Sequence, residues 1–486
     1  MTNLSRLALA TPEAGDDPST ASLAMLAGLT QKRWRVQHFR SRACPTGTEA
    51  VGLLTGRPGR HLDTWLMPDS VCRRVFTQGA RHADIALVEG TLDESGVASD
   101  GICQNRPGWL RPIAEVLDLP VVALLTCRSW RECHLPRLPE GVDAVLLDGL
   151  EDSEDYDRFR RMVSLTLRKP VLGGVEALPD VREALRHVSR DNPPPEKLSN
   201  RLAASFLRFA DLEAIRALAQ SRPFSLPVAE PIRADRRRFR VAYAQDEAFG
   251  AYFPDTLETL EALGAELVEF SPIRDESLPE AVDLVMIGCG FPDRHAHALA
   301  DNLSLIAALR AHVCRGHRMY SEGGGTAYLG RTMILDGRHV PGAGIMPFDA
   351  ELSPDPTPPT PVTRTLIRDG WLGPKGTTVR GYRSGRWRLL PGAQPLDCPT
   401  CFGPLTDQGD FYYHHHAVGS LIHLHSSALP EVVAAFAGPH RPRSPCRRAG
   451  LDAGRGDLTA ESLESSPGVS GILGRGDRPG HSPREG

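Results

Sequence analysis

The sequence lacks the features that would by themselves indicate a nucleic-acid-binding, membrane-bound or secreted protein. Its 56 Lys and Arg residues nearly balance its 60 Asp and Glu residues, and the net charge is only −4. No general affinity for nucleic acid or anionic membranes is therefore expected. The longest apolar runs, such as DIALVEG and PVVALL, are too short to span a bilayer. The first 20 residues contain one Arg and no sustained apolar core, which is a poor match to a signal peptide.

The ten cysteines follow no spacing typical of a disulfide framework. In a chain of this length, such scattered cysteines favour reduced thiols and a cytoplasmic location. A chain of 486 residues is also too long for one ordinary core, so two or three domains are expected. The apolar content of 41% is enough to build them.

The chain divides into four segments that differ in composition and in the pattern of their apolar residues. Residues 1–195 alternate short apolar runs with helix-like stretches, which predicts a parallel sheet covered by helices. Residues 196–238 contain a predicted helix, RLAASFLRFADLEAIRALA, and a linker rich in Pro and Arg. Residues 239–438 show a second α/β pattern, which includes the predicted helix HAHALADNLSLIAALRAHVCRG. Residues 439–486 are so rich in Gly, Pro and Ser that disorder is expected.

The stretch RMYSEGGGTAYLG, from Arg318 to Gly330, has the layout of a nucleophile elbow. Such an elbow is a sharp strand-to-helix turn that holds a catalytic Ser or Cys in a pocket, and its strained backbone requires glycines. Here the apex of the turn, at the start of GGGT, carries no nucleophile.

Several ordered stretches resemble the cobyrinic acid a,c-diamide synthase family, which belongs to the CobB/CobQ-type glutamine amidotransferases. They are LTGRPGRHLDTWLM at 54–67, ADIALVEG at 83–90, the long segment at 241–279, YSEGGGTAYLG at 320–330 and VGSLIHLHSSALPEV at 418–432. The resemblance implies two doubly wound parallel-sheet domains. The first is a dethiobiotin-synthetase-like P-loop fold that activates corrin carboxylates with ATP and magnesium. The second is a class-I-like glutaminase that uses a Cys–His pair.

The ATP site implied by this resemblance is degenerate. A P-loop needs glycines and a Lys around the phosphates, whereas LALATPEAGDDPSTASLAML has one glycine and no Lys, and its Asp16 and Asp17 would repel phosphate. Ser19 and Thr20 keep hydroxyl groups at the start of the following helix. Ser19 as an ordinary helix N-cap is the simpler interpretation.

The metal site implied by the resemblance is also depleted. Arg40 keeps a positive charge and Glu89 keeps an acid at a strand end, but Cys44 and Gly47 stand where the family has two carboxylates. Without those carboxylates a magnesium ion loses hard oxygen ligands. Further along the chain, Thr126 replaces another family carboxylate. We therefore do not expect ATP and magnesium to bind here.

In the glutaminase half, the resemblance places Gly323 at the nucleophile position and His423 at the position of the general base. Because glycine has no side chain, no thioester can form at Gly323, and glutaminase activity is not expected. Ser321 is a poor replacement because it lies two residues before the apex. Cys314 is expected to be a buried helix residue.

Cys398 and Cys401 form a C-x-x-C motif upstream of His414, His415 and His416. Cysteine and histidine in such proximity can bind zinc, but the spacing fits no standard zinc finger. A loop with two free thiols is the simpler interpretation.

Three functions follow from these observations. The first is a noncatalytic paralogue related to cobalamin biosynthesis, and the second is a diverged ATP-dependent amide ligase that amidates corrin carboxylates with ammonia from glutamine or a partner. The third is a zinc-containing binding protein. A corrinoid or an active family homologue is the expected partner, in a homodimer or heteromer, and neither nucleic acid nor a membrane is expected.

Overall fold

The computed structural model describes residues 4–12, 19–44, 49–92, 107–127, 138–186, 196–224, 238–391, 404–425 and 428–437. The segment Met1–Pro445 forms one compact unit, to which all of these residues belong. The Gly/Pro/Ser-rich tail, the linker at 225–237 and the C-x-x-C motif lie outside the described residues.

The N-terminal half contains a seven-stranded sheet in which every pairing is parallel. Its strands, in the order β3-β2-β4-β1-β5-β6-β7, are β1 (Arg6–Thr11), β2 (Val36–Arg40), β3 (Arg60–His61), β4 (Ile85–Thr91), β5 (Val121–Thr126), β6 (Val142–Leu150) and β7 (Val171–Glu176). The helices are α1 (Ser19–Gln31), α2 (Glu49–Thr55), α3 (Asp69–Ala80), α4 (Leu110–Leu117), α5 (Ser153–Thr166), α6 (Pro179–Arg186), α7 (Glu196–Leu207) and α8 (Leu212–Ala219).

The central strands are apolar throughout because both faces of the sheet are covered. Strand β1 is buried along its whole length, and two hydrophobic clusters pack on either side of it. Helices α7 and α8 contribute Leu202, Phe206 and Ile215 to one of these clusters, so the helical part of segment 196–238 packs on the first sheet. Continuous apolar strands of this kind are typical of a parallel sheet between helices.

The C-terminal half begins with a second, mainly parallel sheet in the order β10-β8-β11-β13-β19-β18. Its elements are β8 (Phe239–Ala244), β9 (Phe249–Ala251), α9 (Pro254–Ala262), β10 (Ala265–Phe270), β11 (Leu284–Ile287), β12 (Cys289–Gly290), a 3-10 helix (Pro292–His295), α10 (Ala296–Asp301), α11 (Leu303–Cys314), β13 (Arg318–Glu322), α12 (Gly324–Leu329), β18 (Phe411–His414) and β19 (Ala417–Ser420). Strands β9 and β12 form a separate antiparallel pair.

A further five-stranded sheet, for which the sequence analysis gave no prediction, packs beside this one. Its strands are β14 (Thr332–Leu335), β15 (Arg338–Pro341), β16 (Phe348–Thr365), β17 (Thr378–Pro391) and β20 (Ile422–His423), in the order β15-β14-β16-β17-β20, and helix α13 (Pro430–Ala437) follows. Because β20 pairs with β17 at Tyr382 and Arg383, this sheet sets the position of His423.

Two helices that the sequence predicted as continuous are each split by a capping residue. The Asp211 carboxylate accepts a hydrogen bond from the Ala214 N–H and starts α8, so the stretch predicted as one helix is two. Asn302 likewise accepts from the Leu305 N–H and starts α11 after α10 has ended. Asn and Asp compete for backbone hydrogen bonds in this way and therefore favour helix starts over helix interiors.

Ion pairs and buried aromatic rings join the two halves. The Arg60 guanidinium lies 2.7 Å from the Asp255 carboxylate and also binds Glu258. The Tyr382 hydroxyl donates a hydrogen bond to the Asp63 carboxylate, and both side chains are buried. These contacts connect the end of the first sheet to the second and third sheets.

The predicted architecture of two α/β units with parallel sheets is thus confirmed. Among the described residues, no helix has the length and apolar character needed to cross a membrane.

Candidate functional site at the glycine turn

The predicted elbow is present between β13 and α12, with Gly323 at its apex. Gly323 has φ 52° and ψ −117°, a backbone conformation that residues with side chains rarely adopt. Its amide N–H donates to the Ser420 carbonyl, 2.8 Å away, which ties the apex to the end of β19. The strand–turn–helix geometry has therefore been kept although the apex carries no side chain.

The other two glycines allow the backbone of the preceding strands to approach α12 closely. A Cβ atom on Gly324 would lie 2.7 Å from the Gly290 carbonyl oxygen, and one on Gly325 would lie 2.3 Å from that of Ile287. Both distances are shorter than any side chain tolerates. The glycine run is therefore required by packing, whether or not the turn carries a nucleophile.

The space in front of the apex is occupied by a cysteine of the neighbouring strand. A Cβ atom built on Gly323 would lie only 2.7 Å from Cys289 Sγ and 3.0 Å from His423 Cε1. Cys289 is 4% exposed and is held in β12, which pairs with β9. A thiol therefore faces the apex of the elbow from the opposite side.

His423 connects this thiol to a carboxylate. Its Nε2 lies 3.8 Å from Cys289 Sγ, within the range of a weak sulfur hydrogen bond. Its Nδ1 lies 3.6 Å from Glu322 Oε2, at ion-pair distance. The other Glu322 oxygen accepts hydrogen bonds from the Tyr320 hydroxyl and the Leu424 N–H, which orient the carboxylate toward the imidazole.

The surroundings of His423 favour its charged form. Burial alone lowers the pKa of an imidazole, since it disfavours the charge. Here the electrostatic interaction and hydrogen bond with Cys289, together with the Glu322 carboxylate, outweigh burial and hold the pKa of His423 well above 6.5, with a smaller contribution from Cys44. A thiol thus lies beside an imidazole that a carboxylate orients, which is the arrangement that activates thiol nucleophiles.

Ser321 does not reach this site. Its hydroxyl is fully buried beneath the turn, 3.0 Å from the hydroxyl of Thr326, which in turn donates to the Ser420 carbonyl. The side chain stabilises the packing of β13 on α12. Cys314, expected to be buried, is exposed near the end of α11, so that expectation was wrong.

The two charged residues predicted for the cofactor site of the N-terminal half bind each other. Glu89 Oε1 lies 3.4 Å from Arg40, and its Oε2 lies 3.1 Å from His38 Nε2, with the Glu89 side chain only 6% exposed. Burial acts to raise the pKa of this carboxyl, but the Arg40 charge and the His38 hydrogen bond lower it to about 2. Glu89 is therefore an ionised carboxylate whose negative charge is already balanced by Arg40 and whose second oxygen is bound by His38.

This arrangement does not fit a magnesium site. A divalent cation at Glu89 would have to displace a guanidinium and an imidazole from the same carboxylate. Ser19 and Thr20 start α1 as predicted, but Thr20 is buried, and residues 13–18 of the phosphate loop lie outside the described residues. Among the described residues, no group of three His, Cys, Asp or Glu side chains is arranged to hold a metal ion.

The histidine run that suggested zinc forms a hairpin turn. His414 ends β18 and its ring binds the Ile345 carbonyl, while His415 adopts a left-handed conformation with φ 51° before β19 begins. The zinc candidates Cys398 and Cys401 lie outside the described residues.

Sequence reasoning missed two members of the site, Cys289 and Glu322. A cysteine between two glycines, directly after the buried strand β11, was a local signal that could have been followed. Its pairing with His423, which is 134 residues away, becomes visible only in the fold.

Comparison with known proteins agrees with this architecture. A family model described as a CobB/CobQ-like glutamine amidotransferase domain matches residues 240–428. The chain is 27% identical over 461 residues to a cobyrinate a,c-diamide synthase of Dehalococcoides mccartyi, covering 89% of this chain and 98% of that protein. It is 28% identical over 452 residues to the one from Syntrophotalea carbinolica, covering 89% and 97%.

A third relative, the cobyrinate a,c-diamide synthase of Methanothermobacter thermautotrophicus, is 27% identical over 407 residues and covers 79% of this chain and 88% of that protein. These similarities span both α/β halves and the glycine turn between β13 and α12. The predicted resemblance to the cobyrinic acid a,c-diamide synthase family is therefore confirmed, and its C-terminal part matches a CobB/CobQ-like glutamine amidotransferase domain.

Proposed function

We propose that this chain acts in cobalamin biosynthesis as a cobyrinate a,c-diamide synthase-like protein that binds a corrinoid or an active homologue but does not itself activate carboxylates with ATP. The observation that carries the proposal is the pairing of Glu89 with Arg40 and His38. An ATP-dependent ligase needs a free carboxylate for the metal that bridges the phosphates. Here the one acid kept in that position is neutralised by protein side chains.

The corrinoid part of the proposal rests on the relatives. Proteins named cobyrinate a,c-diamide synthase match over 97–98% of their own length, so the likeness extends over nearly the whole of those proteins.

A second candidate function is a diverged amide ligase. The ordered Glu322–His423 arrangement in the amidotransferase half favours it, because a purely structural role does not require a carboxylate beside this imidazole. This candidate requires ATP to bind, whereas the first proposal requires that it does not.

Calorimetric titration separates the two. The purified chain is titrated with ATP and magnesium, with the Dehalococcoides mccartyi relative as positive control. We expect no binding heat for this chain, and micromolar ATP affinity would contradict the proposal. A second titration with a corrinoid, followed by its visible absorbance, should show saturable binding, and the absence of binding would contradict the corrinoid assignment.

A further inference from the structure

The elbow apex and the facing strand cannot both carry a side chain directed into the site. The 2.7 Å between Cys289 Sγ and a Cβ atom on Gly323 is well inside van der Waals contact. The sulfur therefore occupies the volume that a nucleophile on the elbow would need. Among the described residues, Cys289 is the thiol placed within hydrogen-bond range of His423.

The partners of this thiol are those that thiol catalysis requires. A base must lie within reach of the sulfur, and a third group must orient the base. The base is His423, whose Nε2 lies 3.8 Å from Cys289 Sγ. The orienting group is Glu322, whose Oε2 lies 3.6 Å from His423 Nδ1. Both the thiol and the imidazole are nearly excluded from solvent, which strengthens the electrostatic interaction between them.

We propose that Cys289 is the nucleophile of the amidotransferase half, acting with His423 as general base and Glu322 as a positioning residue, on a primary carboxamide of the glutamine type. The proposal goes beyond the function proposed above and does not depend on ATP or on a corrinoid. It replaces the expectation that glutaminase activity is lost, because that expectation considered only side chains on the elbow itself.

The chemistry balances without any further reactant except water. His423 Nε2 takes the thiol proton, and the sulfur attacks the carboxamide carbon. The C–N bond breaks as the imidazolium returns the proton to the departing ammonia, which leaves a thioester on Cys289. His423 then takes a proton from water, whose oxygen attacks the thioester, and the C–S bond breaks. The sulfur leaves as a thiolate and regains its proton from His423, and the products are glutamate and ammonia.

The other thiols are less suited to this role. Burial raises the pKa of the Cys72 thiol to about 12 and that of Cys127 well above its ordinary value, so neither forms a thiolate readily. Burial also raises the pKa of Cys314, which lies on the surface at the end of α11. Cys44 is buried like Cys289 and contributes to the electrostatic surroundings of His423, so it is the informative control for the site.

The first test measures glutamate released from glutamine by the full chain, without ATP. We expect release by the wild type and by Cys314→Ala, and a loss of at least about a hundredfold in Cys289→Ala and in His423→Gln. Glu322→Gln should lower kcat more than it changes KM and should alter the pH profile, since it acts through His423. Absence of release, or release that survives Cys289→Ala, would overturn the proposal.

The second test does not depend on turnover. The chain is treated with limiting iodoacetamide, a small reagent that itself carries a carboxamide, and the modified cysteines are mapped by peptide mass spectrometry. Cys289 should react faster than Cys44, and its rate should fall at least about tenfold in His423→Gln, while the Cys314 rate stays unchanged. Equal rates for Cys289 in the wild type and His423→Gln, or faster reaction of Cys44, would contradict the assignment.

Discussion

If Cys289 fills the space in front of the elbow apex, a side chain at Gly323 should be tolerated better once the sulfur is removed. Gly323→Ala introduces a Cβ atom 2.7 Å from Cys289 Sγ. Overpacking of this kind costs about 1–3 kcal/mol. The positive φ of 52° adds backbone strain of about 1–3 kcal/mol for any residue other than glycine.

Cys289→Ala removes the overpacking but leaves the strain. In that background the new Cβ atom faces Cβ of residue 289 at 3.6 Å, an ordinary contact, and His423 Cε1 at 3.0 Å. The double variant should therefore be more stable than the sum of the two single changes by about 1–3 kcal/mol, the size of the overpacking term.

Urea unfolding of the four proteins in this cycle, followed by fluorescence, measures the coupling. The matched control is Gly376→Ala, since Gly376 has φ 90° and no atom near its missing Cβ. It should lose only the strain energy and should show no coupling to Cys289→Ala. Additivity of Gly323→Ala and Cys289→Ala within about 0.5 kcal/mol would refute the placement of the thiol against the apex.

Further predictions concern the contacts between the two halves. Tyr382→Phe removes the hydrogen bond to the buried Asp63 carboxylate and should lower the free energy of unfolding in urea by about 1.5–3 kcal/mol. Its control is Tyr243→Phe, which loses a similar but exposed bond to Glu269 and should cost less than about 1 kcal/mol. Arg60→Met takes the guanidinium away from the buried Asp255 carboxylate and should cost about 3–5 kcal/mol, clearly more than Arg35→Met, which removes an exposed pair; equal losses would contradict the burial. Burial raises the pKa of Asp63 from 3.8 to about 6. Between these two pH values the folded state keeps a proton that the unfolded state has lost. The free energy of unfolding should therefore fall by up to about 3 kcal/mol as pH rises from about 4 to about 6. In thermal melts recorded over a pH series, Asp63→Asn should reduce the dependence of stability on pH. An unchanged dependence would contradict the raised pKa of Asp63.

The sequence predicted the parts of the fold that depend on local pattern. Apolar runs such as VVALLT and LVMI became buried strands of parallel sheets, because strands covered on both faces have to be apolar throughout. The glycine turn was predicted as an elbow from its composition, and the structure gives each of its three glycines a steric reason.

The sequence could not predict contacts between distant residues. Arg40 meets Glu89 because their strands, β2 and β4, are parallel neighbours that end side by side. Cys289 meets His423 because two antiparallel strand pairs, β9–β12 and β17–β20, place the two residues beside the glycine turn. No spacing along the chain encodes either contact. The exposure of Cys314 was missed for a related reason, since its burial depended on what packs against the end of α11. Asp211 and Asn302 are residue types that commonly cap helices, so the two helix starts could have been predicted. The apolar pattern continues through both residues, however, and it predicted uninterrupted helices.

The central claim is that the nucleophile stands on the strand facing the elbow, at Cys289. It is tested most directly by incubating the full chain with a glutamine analogue that carries a diazoketone, and by mapping the covalent adduct by mass spectrometry. The account predicts an adduct on Cys289 that is lost in Cys289→Ala, reduced in His423→Gln and prevented by excess glutamine. An adduct on Ser321 or Cys44, or no adduct at all, would contradict it.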